Sequence, residues 1–374
     1  MSGNSSPGQR QIGSALRAFV FLRGSQQLHF LARVGPLAAR AGTPPLTSPL
    51  NRAGHQYPVA MDLLARIRNR DVRAIARALT LVENGDDAFL AALGAEYAHI
   101  PHPERIGITG PPGAGKSTLT SAIIKNLRRQ DRRVGIVAID PSSPFSGGAL
   151  LGDRLRMTEH ALDEDVFVRS MAARGRFGGL AIGSHDACDV LALAAFDPVI
   201  VETVGVGQSE VDIARLADTT VVVLTPAAGD SVQALKAGIM EVADVVAINK
   251  ADREGAERLE EDIKEALGLR AHQPGPQWLP PVVRTVATTD EGVDELVSAI
   301  AQHRTFLSSQ GALPAVRAAR SVARLTDLAG EAMLRALRTG TRAKPLFERL
   351  CSQVRQGAVS PRAAVNELLD ALKL

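Results

Sequence analysis

The stretch Gly110-Pro-Pro-Gly-Ala-Gly-Lys-Ser-Thr118 decides the fold of this chain. It fits the pattern G-x-x-x-x-G-K-[ST], in which a glycine-rich loop joins a β-strand to a helix and binds phosphate groups. Residues 105–109, before the loop, have the pattern of a short buried strand, and a helix is expected to begin near Ser117. Both flanks that the motif requires are present, so the sequence predicts a P-loop nucleotide-binding protein.

Each residue type in this loop has a chemical reason. Glycines let backbone amides close around phosphate oxygens, and the positive end of the following helix adds to the attraction. Lys116 is expected to neutralise the β- and γ-phosphates, and the Ser117 hydroxyl to ligate Mg²⁺. The expected nucleotide contacts in the loop are Gly110, Pro111, Pro112, Gly113, Ala114, Gly115, Lys116, Ser117 and Thr118.

Outward from the loop, further short segments are β-branched and apolar on both faces, as buried parallel strands are. They alternate with helix-like segments in the order of βαβ units. The sequence therefore predicts an α/β fold with a doubly wound, mostly parallel sheet. After residues 105–109, the predicted strands are 134–140, 198–203, 219–225, 245–249 and 281–286.

The base is expected to be read by Asn249-Lys-Ala-Asp252, at the end of a predicted strand. The Asp252 carboxylate can accept two hydrogen bonds from guanine N1 and N2 hydrogens that adenine lacks. An adenine would leave that carboxylate unpaired, at a cost of about 1–3 kcal/mol. Lys250 is expected to lie over the ring plane. The loop Val286-Ala287-Thr288 would contact the base through backbone amides, and the predicted ligand is GTP or GDP.

Acidic residues lie between these two anchors. Asp140 and Glu202 end predicted strands, and Asp153 follows in Gly152-Asp-Arg154. Because carboxyl ends of parallel strands face the phosphate crevice, we expect the three carboxylates to hold Mg²⁺ or its waters together with Ser117. The run Gly205-Val-Gly-Gln208 predicts either a mobile loop beside the γ-phosphate or an ordinary strand-to-helix turn.

The remaining chain is expected to form three attachments to a P-loop domain at residues 104–305. Residues 1–60 contain no Asp or Glu and predict a disordered leader or a misassigned start, with an organellar transit peptide as the alternative. With a disordered leader or a misassigned start, the expected localisation is the bacterial cytoplasm. It would be the mitochondrial matrix only if residues 1–60 are a real transit peptide. Residues 61–103 predict a helical preface, and residues 306–374 a helical arm.

The predicted arm carries an apolar stripe at residues 316–337, followed by a second helix with Ser360 as cap and Pro361 at its first position. Such a stripe either folds back on its own domain or meets a partner chain. We expect a dimerisation arm.

Composition excludes several classes of protein. Only 3% of the 374 residues are aromatic and no basic stripe is interleaved with them, so nucleic-acid binding is not expected. No apolar run reaches the roughly 18 residues of a membrane span. The two cysteines, Cys188 and Cys351, lie too far apart for a paired-cysteine zinc motif.

Four long motifs occur together in the chain and in one order. They are Asp140-Pro-Ser-Ser-Pro-Phe-Ser-Gly-Gly-Ala149, Gly152-Asp-Arg-Leu-Arg-Met157, Glu202-Thr-Val-Gly-Val-Gly-Gln-Ser-Glu210 and Asn249-Lys-Ala-Asp252. With these motifs the chain resembles the methylmalonyl-CoA mutase-associated GTPases of the MeaB/ArgK type, within the G3E family of P-loop GTPases. The resemblance covers about residues 61–374 and is tightest over 105–252.

The resemblance implies a homodimeric GTPase with weak intrinsic hydrolysis. It implies a chaperone that gates cofactor delivery to an adenosylcobalamin-dependent acyl-CoA mutase and protects that enzyme. By position, Lys116, Asp140, Asp153 and Glu202 match the family's phosphate and Mg²⁺ residues, and Asn249 and Asp252 its guanine readers. Gly229-Asp-Ser-Val-Gln-Ala-Leu-Lys236 matches an additional switch, with Lys236 as its acting residue.

Two other functions remain open at this point. A P-loop kinase would need an arginine-rich lid over its acceptor, for which Arg169, Arg174 and Arg176 are the candidates. A metal-insertion GTPase would need a Cys/His cluster. The pair His185 and Cys188, three residues apart on a predicted helix, is more typical of packing.

Overall fold

A computed structural model of the chain describes residues 57–141, 158–160, 162–173, 183–203, 212–226, 239–268, 278–341 and 343–372. Most of the predicted leader, Asp153 and the glycine-rich run 205–208 lie outside these residues. So do the predicted switch 229–236 with Lys236, and two of the candidate lid arginines, Arg174 and Arg176.

A seven-stranded sheet forms the centre of the fold, and all of its strand pairs are parallel. The strand order is β3-β2-β4-β1-β5-β6-β7. The predicted α/β class is confirmed, and one strand, β3, was not predicted. The strands are β1 (Arg105–Thr109), β2 (Val134–Pro141), β3 (Val166–Ala173), β4 (Val199–Thr203), β5 (Thr219–Leu224), β6 (Val245–Asn249) and β7 (Val282–Thr285).

Helices cover both faces of this sheet, and its inner strands β1, β4, β5 and β6 are buried at every position. In β5, Val221 and Val223 pack on one face, while Val222 and Leu224 pack on the other. The helices that follow strands are α4 (Lys116–Arg129), α5 (Gly183–Leu193), α6 (Ala256–Gly268) and α7 (Val293–Ser309).

The predicted helical preface consists of α1 (Tyr57–Arg68), α2 (Val72–Asn84) and α3 (Asp87–Ala95). Asp71 caps α2 by accepting hydrogen bonds from the amides of Arg73 and Ala74. Gly85 ends the helix in the left-handed region, with φ of 68°. The buried faces of these helices share one apolar core with α5 and part of the sheet.

The chain divides into two compact units between Arg320 and Ser321. The boundary expected after residue 305 lies within α7. The division falls inside α8 (Leu313–Thr339), whose first turns belong to the unit that contains the sheet.

The second unit has a small core of its own, built around Leu350, Ala364 and Leu368. Besides the end of α8 it contains α9 (Ala343–Arg355), which was not predicted, and α10 (Pro361–Leu372). The expected cap is present, because the Ala363 amide donates to Ser360 Oγ at 3.2 Å. In the described part of the chain, no helix has the length and apolar character needed to cross a bilayer.

Candidate functional site

The predicted phosphate loop joins the central strand β1 to α4, at the carboxyl edge of the sheet. Gly110, Gly113 and Gly115 have φ of 146°, 74° and 84°, which side chains rarely adopt. A Cβ at Gly110 would lie 2.1 Å from the carbonyl oxygen of Val223, so only glycine fits there. Gly115 leaves the start of α4 without a side-chain cap, and the first amides of the helix are therefore available to an anion.

Lys116 lies inside this loop. Its side chain is buried, and Nζ donates to the carbonyl oxygens of Gly110 at 2.7 Å and Pro111 at 3.0 Å. The loop thus wraps around the ammonium group. That geometry places a positive charge at the centre of the turn where phosphates would bind.

Two of the three predicted carboxylates are described, and both are buried at the same edge. Ser117 Oγ donates to Glu202 Oε1 at 2.6 Å. In the parallel register Ala138 pairs with Glu202, and Asp140 lies two residues further along β2. Because paired residues and residues two apart share a face, Asp140 and Glu202 point to the face that α4 covers.

These groups suit a hard cation. A hydroxyl and two carboxylates, each at most 6% exposed, form an all-oxygen donor set of the kind that Mg²⁺ takes, usually with several waters and phosphate oxygens. Among the described residues, no three His, Cys, Asp or Glu side chains gather into a metal-binding group. The hydroxyl and carboxylates of Ser117, Asp140 and Glu202 fit an ion whose other ligands are waters and phosphate oxygens.

Asn249 connects the phosphate loop to the predicted base loop. Its side chain is buried, and Nδ2 donates to the Ala114 carbonyl at 2.9 Å. Its Oδ1 accepts from the amide of Ala287 at 3.2 Å and from Thr285 Oγ1 at 3.4 Å. Asn249 thus spans the two loops as a bridge, which the sequence did not reveal.

Lys250 and Asp252, which follow in the same motif, are more exposed than Asn249. Lys250 has φ of 58°, and its Nζ donates to the Gly113 carbonyl at 2.8 Å, which holds the aliphatic stem beside the loop. Asp252 is exposed, as a carboxylate that meets an incoming base must be. In the predicted base loop, residues 286–288, Ala287 is buried and its amide donates a hydrogen bond to Asn249 Oδ1, while Thr288 is exposed.

The base loop is also tied to α4. Asp290 accepts hydrogen bonds from Lys125 at 2.7 Å and Arg129 at 3.1 Å, and Asn126 donates to Asp294. The hydrogen bond from Lys125, helped by the charges of Lys125 and Arg129, lowers the pKa of Asp290 against the opposing effect of burial. One helix therefore positions both the phosphate loop at its start and the base loop near its end. Sequence reasoning missed these contacts because they join distant residues.

The structure also describes residues that the sequence offered for the two other functions, the kinase and the metal-insertion GTPase. Arg169 is bound to the preface, because its Nη2 donates to Glu83 Oε2 at 2.5 Å. His185 and Cys188 lie on α5, where the Cys188 side chain is completely buried in the apolar core. Arg169 thus has an ion-pair partner, and Cys188 packs as expected.

Comparison with known proteins identifies the architecture. The family model described as "Methylmalonyl Co-A mutase-associated GTPase MeaB" matches residues 75–342. A putative GTPase of Pyrococcus abyssi is 44% identical over 314 residues, which are 83% of this chain and 96% of that protein. The GTPase ArgK of Escherichia coli is 33% identical over 320 residues, again 83% of this chain and 96% of that protein.

One solved structure also matches over most of its length. A protein described as an LAO/AO transport system kinase superposes with a TM-score of 0.64 and 28% sequence identity. The match covers 85% of this chain and 98% of that one.

Proposed function

Since this chain belongs to the family of methylmalonyl-CoA mutase-associated GTPases of the MeaB type, we propose that it is a slow GTPase that serves an adenosylcobalamin-dependent acyl-CoA mutase as a chaperone. In this role it gates the loading of the cofactor and protects the mutase. The observation that carries the proposal is the bridge of Asn249, whose side chain hydrogen-bonds both the phosphate loop and the proposed base loop.

In the proposed site, the triphosphate lies against residues 110–118, with Lys116 between the β- and γ-phosphates. Asp252 accepts hydrogen bonds from guanine, Lys250 lies over the ring, and the backbone of residues 286–288 contacts the base. The Gly110 turn and the amides at the start of α4 support the phosphate assignment. The exposure of Asp252 beside the buried Asn249 supports the base assignment.

Ser117, Asp140 and Glu202 would hold Mg²⁺, directly or through water, and Asp153 is proposed as a further member. When bound, the ion neutralises charge that develops on the phosphate oxygens during transfer. The attacking nucleophile is proposed to be water, since Lys116 and the loop amides supply charge and positioning rather than a covalent acceptor. Such a site is slow until a partner completes it.

Dimerisation is proposed to occur through the second unit. Its stretch of α8 exposes Val322, Leu325, Leu328 and Met333, with fractional exposures of 46%, 66%, 39% and 46%. An apolar strip of this kind favours contact with another chain. We propose a second copy as the partner, and Leu325→Glu should shift the molecule from dimer to monomer in sedimentation. An unchanged sedimentation coefficient would exclude α8 from the dimer contact.

The alternative is a P-loop kinase, which the description of the matching solved structure suggests. A kinase needs cationic groups over the acceptor. Arg169, the described candidate, is held by Glu83 on the preface, which disfavours this alternative. A metal-insertion role has no support from Cys188, which is buried in the apolar core.

The proposal is tested by GTP hydrolysis of the purified protein, with ATP as the control nucleotide. Slow turnover that is specific for GTP and rises when an adenosylcobalamin-dependent acyl-CoA mutase is added supports the chaperone function. Turnover only in the presence of a small acceptor, with phosphate recovered on that acceptor, would establish a kinase instead.

A further inference from the structure

The helical preface reaches the edge of the sheet next to a proposed Mg²⁺ residue. On α2, Glu83 lies one residue before the end of the helix, and its carboxylate makes two kinds of contact with β3. Oε2 accepts from Arg169 Nη2 at 2.5 Å, and Oε1 accepts from the amide of Ala172 at 3.4 Å. The first contact is a charge pair with both side chains less than one-fifth exposed.

These contacts cap an edge strand. Among the residues that the structure describes, β3 is the last strand on its side of the sheet, so its outward amides have no described strand to donate to. Glu83 supplies an acceptor for one of them. The core holds α2 there as well, because Leu79 and Val82 of α2 are buried in the same apolar cluster as Met171 of β3.

The capped amide belongs to the residue that pairs with Asp140. β2 and β3 run in register for eight consecutive pairs, from Val134 with Val166 to Pro141 with Ala173, and Asp140 pairs with Ala172. If the end of β3 frays, Asp140 loses the neighbour that fixes its backbone on that side. The carboxylate of Asp140 points to the other face of the sheet from Arg169, so Glu83 cannot touch the ion itself.

We propose that Glu83 is a positioning residue for the Mg²⁺ side of the nucleotide site, acting through Arg169 and the amide of Ala172 on the strand beside Asp140. The preface is then a structural part of the site. This inference rests on the proposed role of Asp140 in holding Mg²⁺.

The test compares Glu83→Ala with Asp71→Ala, using the full chain loaded with a fluorescent GDP. Each substitution removes side-chain hydrogen bonds, but those of Asp71 cap the opposite end of α2, whereas those of Glu83 go to β3. The measured quantity is the rate of GDP release as a function of free Mg²⁺. Urea unfolding of both variants calibrates the loss of stability.

We expect Glu83→Ala to raise the Mg²⁺ concentration for half-maximal GDP retention by about 3- to 10-fold, since β3 loses both its charge pair at Arg169 and the acceptor for the amide of Ala172, the residue that pairs with Asp140. Asp71→Ala should change it by less than about 2-fold at comparable loss of stability. Glu83→Gln keeps an acceptor for Ala172 and should lie between the two. Exchange of the backbone amide hydrogens of residues 134–140 should be faster only in the Glu83 variants.

Equal Mg²⁺ dependence in wild type and Glu83→Ala, or an equal shift in Asp71→Ala, would overturn the positioning role while leaving the Mg²⁺ site in place. GDP release from wild type that does not respond to Mg²⁺ would overturn the proposed Mg²⁺ site itself, and the inference with it.

Discussion

Replacing Asn249 by alanine tests whether one buried side chain holds the nucleotide site together. The change removes the acceptor of the Ala287 amide and the donor to the Ala114 carbonyl, in a place that is 2% exposed. Each buried backbone group left without a partner costs about 1–3 kcal/mol. We therefore expect Asn249→Ala to lower the free energy of unfolding by about 2–6 kcal/mol.

The same change should weaken the binding of nucleotides irrespective of their base. The reason is that the phosphate loop and the base loop move apart, while no contact to the base itself is lost. Asp252→Asn is the matched control. Asp252 is exposed, so its replacement should alter stability by less than about 0.5 kcal/mol, yet shift preference from guanine toward xanthine nucleotides.

The assays are urea unfolding and titration of each variant with fluorescent GDP and XDP. Asn249→Ala should lower the affinities for GDP and XDP by a similar factor. Asp252→Asn should invert the order of the two affinities, so that XDP binds more tightly than GDP. If Asn249→Ala unfolds at the wild-type urea concentration, the bridge does not stabilise the fold. Unchanged GDP affinity in Asp252→Asn would refute the base-reading assignment.

Three further predictions concern the loop and the pH dependence of stability. Lys116→Ala should reduce GDP affinity at least about 10-fold in calorimetry, because the loop loses its buried cation; wild-type affinity would contradict the phosphate assignment. Gly110→Ala should destabilise the protein far more than Gly113→Ala in urea unfolding, because only at Gly110 does the added Cβ collide with backbone, whereas Gly113→Ala costs about 1–2 kcal/mol of strain; equal losses would refute this account of the turn. Burial, followed by the charges of Arg317, Arg105 and Arg320, lowers the pKa of His102 below 6.5, so the native state binds fewer protons than the unfolded state. The free energy of unfolding should therefore fall as the pH drops from 6.5 through the lowered pKa. His102→Asn should flatten this dependence of stability on pH, and an identical dependence in the variant would exclude His102 as its source.

Much of the sheet was predictable because its strands are apolar on both faces and end in polar residues. β3 escaped prediction since Arg169 and Ser170 interrupt its apolar run. Arg169 is tolerated because Glu83, far away in the sequence, neutralises it. α9 also escaped, although Leu346, Leu350 and Val354 recur at helical spacing and pack in the small core of the second unit.

The candidate site was predictable where short motifs carry its chemistry, and not where tertiary contacts position it. The spacing of Lys116 and Ser117 follows from phosphate binding alone. The bridge from Asn249 to Ala114 and the ties of Asp290 to α4 join residues more than a hundred positions apart. No local pattern encodes such pairs, because they arise only when the carboxyl ends of β1, β6 and β7 meet at one edge.

The most direct test of the proposed chaperone function is the affinity of this protein for an adenosylcobalamin-dependent acyl-CoA mutase, measured with GDP and with a non-hydrolysable GTP analogue. The proposed function predicts binding whose affinity changes several-fold between the two nucleotides, and Lys116→Ala should abolish that difference. Absence of binding, or one affinity in both nucleotide states, would contradict a nucleotide-gated chaperone.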